Sequence, residues 1–186
     1  MGAIKPARGV KLICGMLAAM RDELAPAARR LAEIAGPIEL SSEIWPFIWT
    51  DYYTEEMGPN LLRQFVAFAG VHDPDRLIEL KLRTNELEAR LAADAGRPPG
   101  RRAVNLDAGY VGEPKLVLAS TKDHSHRLYL GRGIYGEVTL RYHQQGWQAW
   151  PWTYPDYAGS TYHPFLTTVR ERLRQATRGS SIDPAP

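Results

Sequence analysis

The stretch VKLICGML, residues 10–17, decides how the chain begins to fold. Its positions are almost all apolar, which is typical of a strand with both faces buried. Basic residues in front of it imitate the start of a signal peptide, but Gly15 interrupts the run and a helix signal follows at once. The run is also shorter than the roughly 20 residues that span a membrane. We therefore predict a buried first strand, preceded by a flexible lead over residues 1–9.

The segment after this strand is predicted to be a helix. Asp22 is available as its cap, and Gly36-Pro37 ends it. Its apolar positions, spaced for one helical face, are Leu24, Ala28, Leu31 and Ile34. IELSSEIW, residues 38–45, then reads as a second strand. Strand–helix–strand predicts an α/β fold, and we expect one globular domain over residues 10–176.

Two more helices are predicted in the middle of the chain. The first is short, carries Leu61, Phe65 and Phe68 on its apolar side, and ends at Gly70. The second begins at Asp73-Pro74 and runs to about residue 95, although apolar alternation over 78–82 leaves a short strand open. Its apolar seam consists of Leu77, Leu80, Thr84, Leu87 and Leu91.

The second half of the chain consists mostly of predicted strands separated by turn residues. The strand segments are AVNLDAGYV, KLVLAST, HRLYL and YGEVTLRY. A last helix carries Phe165, Val169 and Leu173, and residues 177–186 are predicted to be a disordered tail. The expected architecture is a mixed β-sheet, antiparallel in its C-terminal half and flanked by helices.

One glycine-rich run has the spacing of a protein-kinase phosphate loop, G-x-G-x-x-G-x-V. The matching residues are Gly131, Gly133, Gly136 and Val138. A dinucleotide-binding turn leads into a helix, whereas a strand pattern follows here. The chain also contains no V-A-I-K, H-R-D or D-F-G, and no G-x-x-x-x-G-K-[ST]. We predict a hairpin turn whose glycines supply positive φ, with a phosphate loop as the alternative.

Composition limits the classes of protein that this chain can belong to. Its 186 residues are 44% hydrophobic and 24% charged, as in an ordinary globular protein. The net charge of +2 gives no strong signal for nucleic-acid binding. The single cysteine, Cys14, rules out an internal disulfide and a cysteine cluster for zinc, and we expect its thiol to be buried. A cytoplasmic protein without a membrane span is therefore expected.

Polar side chains gather on the second-half strands and in the connection KDHSHR. The candidate residues are Asn105, Asp107, Lys122, Asp123, His126, Arg127 and Glu137. Such a set would suit a small anionic ligand, phosphorylated or nucleotide-like, with a divalent cation bridging carboxylates to phosphate. Asp107, His126 and Glu137 are the candidates for acid–base catalysis. The alternative is a solvated hairpin with ordinary surface ion pairs.

Two other regions offer binding groups. On the long helix, Lys81 and Asn85 lie four residues apart with Glu88 beyond them, and they project either into a cleft or into solvent. The aromatic segments TDYYTEE, which includes Asp51, and WPWTYPDY, which includes Trp152 and Asp156, could stack a base. The alternative function is a non-catalytic interaction module that docks a protein partner through these aromatic loops. The sequence leaves the ligand, any cofactor or metal, and the oligomeric state open.

These segments together resemble a bacterial and archaeal family of unknown function, DUF4416, some of whose members are labelled GTP-binding protein. The matching pieces are VKLICGML, TDYYTEEMG, KLRTNELE, RRAVNLDAGY, KLVLASTKDHSHRLYL, GIYGEVTL and PWTYPDY. The resemblance implies that the polar candidates above, from Asp51 to Asp156, belong to the family's signature, and it implies no reaction. The family pattern has alanine where this chain has Gly136, and proline where it has Ala108. The third glycine of the run is therefore not part of the pattern.

Overall fold

The computed structural model describes residues 3–178, which form a nine-stranded sheet with helices on both faces. The strands are β1 (Lys11–Ala18), β2 (Ile38–Ser41), β3 (Trp45–Pro46), β4 (Leu62–Phe68), β5 (Val104–Val111), β6 (Lys115–Ser120), β7 (Leu128–Gly131), β8 (Ile134–His143) and β9 (Gly146–Ala149). The helices are α1 (Arg21–Ala35), α2 (Thr54–Met57), α3 (Arg76–Asp94), α4 (Pro155–Ala158) and α5 (His163–Arg178).

The sheet has the strand order β2-β4-β1-β5-β6-β8-β7, with β3 beside β4 and β9 beside β8. The paired strands are antiparallel in both halves of the sheet. The predicted α/β class is confirmed, including the opening β1-α1-β2 unit. Since β4 pairs antiparallel with both β1 and β2, those two strands run parallel to one another with β4 between them.

The short helix predicted over residues 61–70 is wrong, because this segment forms strand β4. Phe65 and Phe68, three residues apart, have the spacing of one helical face, but they lie on opposite sides of the sheet. Phe65 packs in the core beneath α5, whereas Phe68 packs in the core beneath α1 and α3. A strand buried on both faces carries apolar residues at most positions, so the spacing of its largest residues can imitate a helix.

Strand β1 is buried over its full length, as predicted from the sequence. Leu12, Cys14 and Met16 pack against α1 and α3 on one face, while Ile13 packs with α5 on the other. The thiol of Cys14 is fully buried, which raises its pKa, so the expected core thiol is confirmed. Three layers, helix–sheet–helix, result from this alternation.

The helix starts differ slightly from the predicted ones. Helix α1 begins at Arg21, so Asp22 lies in its first turn, and Glu23 instead accepts a hydrogen bond from the Met20 N–H at 3.2 Å. Helix α3 begins at Arg76, after a turn that starts at Asp73. Its predicted apolar seam is confirmed, and the short strand considered over 78–82 does not form.

The ends of the described chain agree with the prediction only in part. Residues 3–9 contain no helix or strand. Helix α5 continues to Arg178, two residues into the predicted tail, and the remainder of that tail, 179–186, lies outside the described residues. Strand β9, missed in the sequence, pairs with β8 through Trp147. Within residues 3–178, no helix combines the length and the apolarity needed to cross a bilayer.

The glycine run forms the hairpin between β7 and β8, as predicted. Gly131 pairs with Ile134, and the two residues between them, Arg132 and Gly133, have φ values of 54° and 78°. Two successive positive φ angles are typical of the tight turns that match the twist of a hairpin. Gly136 lies within strand β8, outside the turn.

We expect Gly133→Ala to destabilise the protein by about 1 kcal/mol, because an alanine side chain is strained at positive φ. Gly136→Ala should change stability by less than about 0.5 kcal/mol. The added Cβ would lie 3.0 Å from a methyl group of Leu130, whose partly exposed side chain can turn away. Urea unfolding of both variants measures the difference, and equal losses would contradict this account of the turn.

Candidate functional site

The sheet opens between β5 and β6, and this opening creates the main cavity. Strand β5 pairs with β1 along all of Lys11–Ala18, but its register with β6 covers only Gly109–Val111. On the N-terminal side of Gly109, where β6 no longer pairs with β5, side chains of α3 hydrogen-bond to the free edge of β5. The Leu106 N–H donates to Glu88 Oε1 at 2.7 Å, and the Leu106 carbonyl accepts from Lys81 Nζ at 3.0 Å. The cavity beside this edge has a volume of about 760 Å³.

Most of the site residues predicted from the sequence line this cavity. They are Lys81, Asn85, Asn105, Asp107, Lys122, Arg127, Glu137 and Asp156. Asp51, Asp123, His126 and Trp152 are not among the lining residues. Asp123 instead lies near Tyr135, whose pKa is raised by desolvation and by the charge of Asp123, and His126 reaches the cavity wall through Glu137.

A buried arginine that the sequence analysis missed forms the floor of the cavity. Arg63 starts on β4 and crosses β1 to donate to Asp107 Oδ2 on β5, with Nη1 at 2.6 Å. Gly15 on β1 makes room for this crossing, since a Cβ there would lie 3.0 Å from Arg63 Nη1. Arg63 Nη2 also lies 3.5 Å from Asp156 Oδ2, so two carboxyl groups hold one guanidinium.

The network continues from Asp107 along β5 to the neighbouring helices. Asn105 donates to Asp107 Oδ1 at 2.9 Å and accepts from Arg102 Nη1 at 2.6 Å. Arg102 in turn pairs with Glu56 of α2 and with Glu88 of α3, the latter at 3.4 Å. We call this set of residues the β5 network. Together with Arg63 and Asp156, it fixes the positions of polar groups from six segments of the chain on one wall.

A second network lies on the β6 and β8 side of the opening. Glu137 Oε2 accepts from Arg127 Nε at 3.0 Å and lies 3.1 Å from His126 Nε2. The Arg127 and Glu137 side chains are only 4% and 3% exposed, so this is a buried ion pair and not the surface pair considered from the sequence. Arg127 also donates to Ser120 Oγ at 2.8 Å. We call these residues the β8 network.

His126 belongs to a column of rings outside the cavity. Its ring stacks on Trp152 at a centroid distance of 5.7 Å, and Trp152 stacks on Trp150 at 5.3 Å. Arg141 covers the other end of the column, 4.9 Å from the Trp150 ring. Trp152 therefore packs against His126, which in turn contacts Glu137. Trp152 does not line the cavity, in contrast to the expectation from the sequence.

Two tyrosines bridge the mouth of the cavity. Lys122 Nζ donates to the Tyr52 hydroxyl at 2.8 Å and lies 4.8 Å from the centre of its ring. Arg127 Nη2 donates to the Tyr154 hydroxyl at 3.3 Å. The aromatic segments named in the sequence analysis therefore meet the two cations of the β6 and β8 side through Tyr52 and Tyr154.

The carboxyl groups of the β5 network have pKa values shifted in opposite directions. Burial raises the pKa of Asp107, but the charges of Arg63 and Lys81 outweigh it, so this pKa lies below its ordinary value. Burial raises the pKa of Glu88, and the charge of Lys81 offsets this only in part. Burial likewise raises the pKa of Asp156. Asp107 therefore ionises at a lower pH than an ordinary aspartate, whereas Glu88 and Asp156 ionise at a higher pH than is usual for their residue types.

The carboxylates of the cavity are paired with arginines and not with each other. Among residues 3–178, no group of three or more histidine, cysteine or acidic side chains is placed to hold a metal ion. The cation expected to bridge Asp107, Asp123 and Glu137 gains no support from this arrangement.

Arg63 and Arg102 were missed for different reasons. Arg63 lies in the segment mistaken for a helix, where LRQFVAF places one arginine among apolar residues of a buried strand. An arginine there requires a buried partner, which is the signal that could have identified it. Arg102 belongs to the Gly/Pro-rich break before β5, and its sequence context gives no sign of its contacts.

Comparison with known protein families agrees with the resemblance seen in the sequence. Residues 8–173 match the model of a family described as a domain of unknown function, DUF4416. The chain belongs to the DUF4416 family. Searches of curated proteins and of solved structures gave no match. The DUF4416 description assigns no activity, so the geometry of the cavity has to carry the functional argument.

We expect Gly15→Ala to destabilise the protein by about 1–3 kcal/mol, since its Cβ would overlap the floor arginine. The added Cβ would lie 2.9 Å from Phe65 Cε1 and 3.0 Å from Arg63 Nη1. Gly146→Ala is the matched control, because nothing lies within 4 Å of a Cβ at that strand position. Urea unfolding compares the two, and an unchanged midpoint for Gly15→Ala would contradict the crossing of Arg63 over β1.

The opposite pKa shifts of Asp107 and Glu88 predict opposite pH dependences. The stability lost in Asp107→Asn should be largest above pH 3.8 and shrink as the pH falls through the lowered pKa of Asp107. The loss in Glu88→Gln should be largest below pH 4.5 and shrink as the pH rises through the raised pKa of Glu88. Unfolding free energies measured from about pH 3 to pH 8 test both trends. The same trend in both variants would refute the assignment.

Proposed function

We propose that the cavity binds a small anionic molecule, phosphorylated or nucleotide-like. The observation that carries the proposal is that Lys81 and Lys122 both line it, and neither forms an ion pair with any carboxylate in the described part of the chain. Lys81 is 8% exposed and makes one hydrogen bond, to a carbonyl. An ammonium group has three donors, so both lysines retain donors for a ligand oxygen.

A further buried group supports a ligand in this cavity. The hydroxyl of Tyr157, which lines the cavity and is 2% exposed, has no hydrogen-bond partner among the described residues. Buried polar groups are nearly always hydrogen-bonded, so a polar group of a ligand that reached this hydroxyl would supply the partner that it lacks. The volume of about 760 Å³ lies in the range of small-molecule pockets.

The aromatic wall favours a ligand with a planar part. Trp49, Tyr52, Tyr53 and Tyr154 all line the cavity. Aromatic rings of this kind stack on planar ligand groups while their polar ends stay hydrogen-bonded. A phosphate near Lys122 and Arg127, with a ring against these tyrosines, uses both features. The acid–base roles of Asp107, His126 and Glu137 stay predictions, because each of these side chains already has a partner within the chain.

A protein-interaction module is the second candidate, and one observation favours it. Ile48, next to the aromatic wall, is 83% exposed, and Trp49 is 41% exposed. A small ligand inside the cavity does not explain an exposed isoleucine, whereas a protein partner covering the mouth would. The convergence of charged side chains inside one concave cavity nevertheless supports the ligand site better.

A thermal-shift screen of nucleotides and phosphorylated metabolites, with and without magnesium, tests the proposal. A ligand that binds the folded protein raises its melting temperature. Lys122→Gln should lose most of the shift produced by the best ligand. Lys115→Gln, an exposed lysine on β6 outside the cavity, should keep it, as should Gly136→Ala. A shift unaffected by Lys122→Gln, or no shift with any compound, would refute the anionic ligand.

A further inference from the structure

We propose that the ligand is dipolar: an amino-substituted planar ring at the β5 wall, joined to one phosphate group at the β6 and β8 wall. This inference rests on the proposed function and names the class of ligand. Its basis is an unequal distribution of charge between the two walls of the opening in the sheet.

The β5 wall has an excess of acid. Its carboxyl groups are Glu56, Glu88, Asp107 and Asp156, and its cations are Arg63, Lys81 and Arg102. Four carboxyl groups against three cations leave a formal charge of −1 on this wall. The pairs Arg63–Asp107 and Arg102–Glu56 neutralise each other at close range. The acid that remains in excess favours donor groups of a ligand.

The opposite wall has an excess of base. It carries Lys122 and Arg127 against Glu137, a formal charge of +1. Glu137 is engaged by Arg127 and faces His126, so the charge of Lys122 is not balanced by any carboxylate in the part of the chain that the structure describes. Summed over both walls, the lining is neutral. A compound with negative charges at both ends would therefore be attracted to one wall and repelled by the other.

The acid wall also has unused acceptor positions. Glu88 accepts hydrogen bonds from the Leu106 N–H and from Arg102, and Asp107 accepts from Arg63 and Asn105. A carboxylate offers roughly four acceptor positions, so each group retains acceptor capacity. An exocyclic amino group is a donor that carboxylates recognise on nucleobases. A carbonyl in its place would put an acceptor against an acceptor.

The experiment is a calorimetric titration with pairs of nucleoside monophosphates that differ at this group and in the protonation of the ring nitrogen beside it. AMP and CMP carry an amino group where IMP and UMP carry a carbonyl, and adenosine lacks the phosphate. We expect AMP and CMP to bind about tenfold more tightly than IMP and UMP, respectively, and AMP to bind more tightly than adenosine by a similar factor.

Two variants assign these preferences to the two walls. Glu88→Gln should reduce the preference for AMP over IMP, because a neutral amide oxygen accepts more weakly than a carboxylate, while keeping the preference for AMP over adenosine, and Lys122→Gln should do the reverse. Glu86→Gln on α3 and Lys115→Gln are the matched controls, since both residues are exposed and outside this cavity. Glu56→Gln, a more exposed member of the β5 wall, replaces Glu88→Gln if that variant fails to fold.

The outcomes separate this inference from the proposed function. Equal binding of the amino and carbonyl compounds, with the phosphate preference retained, would overturn the dipolar ligand alone. Binding of none of these compounds, in a protein whose melting temperature rises with another phosphorylated compound, would also overturn it and leave the anionic site standing. If no phosphorylated compound raises the melting temperature, both proposals fail.

Discussion

The buried ion pair between Arg63 and Asp107 is the constraint on which this structure depends. It joins β4 to β5 across the intervening strand, and Gly15 of β1, which carries no side chain, leaves room for it. A guanidinium buried without partners would cost several kcal/mol, so the three strands must keep the one register that brings the charges together. The same guanidinium reaches Asp156, which fixes α4 against the sheet.

The Arg63–Asp107 pair places charged groups in the interior, where a core would otherwise be apolar. The cavity results from these interior charged groups. On the N-terminal side of Gly109, β5 is separated from β6, and a free strand edge inside a protein requires hydrogen-bond partners. Lys81 and Glu88 supply them from a helix, seven residues apart on one face. Their long side chains span the distance that a neighbouring strand would have filled. The opening is thus stabilised by the residues that line it.

The sequence predicted the strands, helices and turns around the cavity better than it predicted the buried ion pair at the cavity floor. The buried β1, the seam of α3 and the hairpin at Gly133 follow from local patterns of burial and backbone geometry. The alternation that places Asn105 beside Asp107 also followed from local pattern, and the structure shows them bonded. The contacts of Arg63 could not be predicted in this way, because its two carboxylate partners lie 44 and 93 residues away in the sequence. Its strand also has no periodicity that separates it from a helix. Long-range charge pairing leaves no local pattern in one sequence.

The two polar networks explain why the walls can remain apart. Each is largely charge-paired internally, so neither has to collapse onto the other to neutralise its own arginines. Across the mouth of the cavity, Lys122 donates a hydrogen bond to Tyr52 and Arg127 donates one to Tyr154. Each bond joins a cation to a neutral hydroxyl group, so replacing it by a bond to another acceptor costs little free energy. A ligand of the proposed kind that replaced them would meet donors and acceptors already held in position, so most of the ordering cost would have been met during folding. Preorganisation of this kind is the property that the proposed binding site requires.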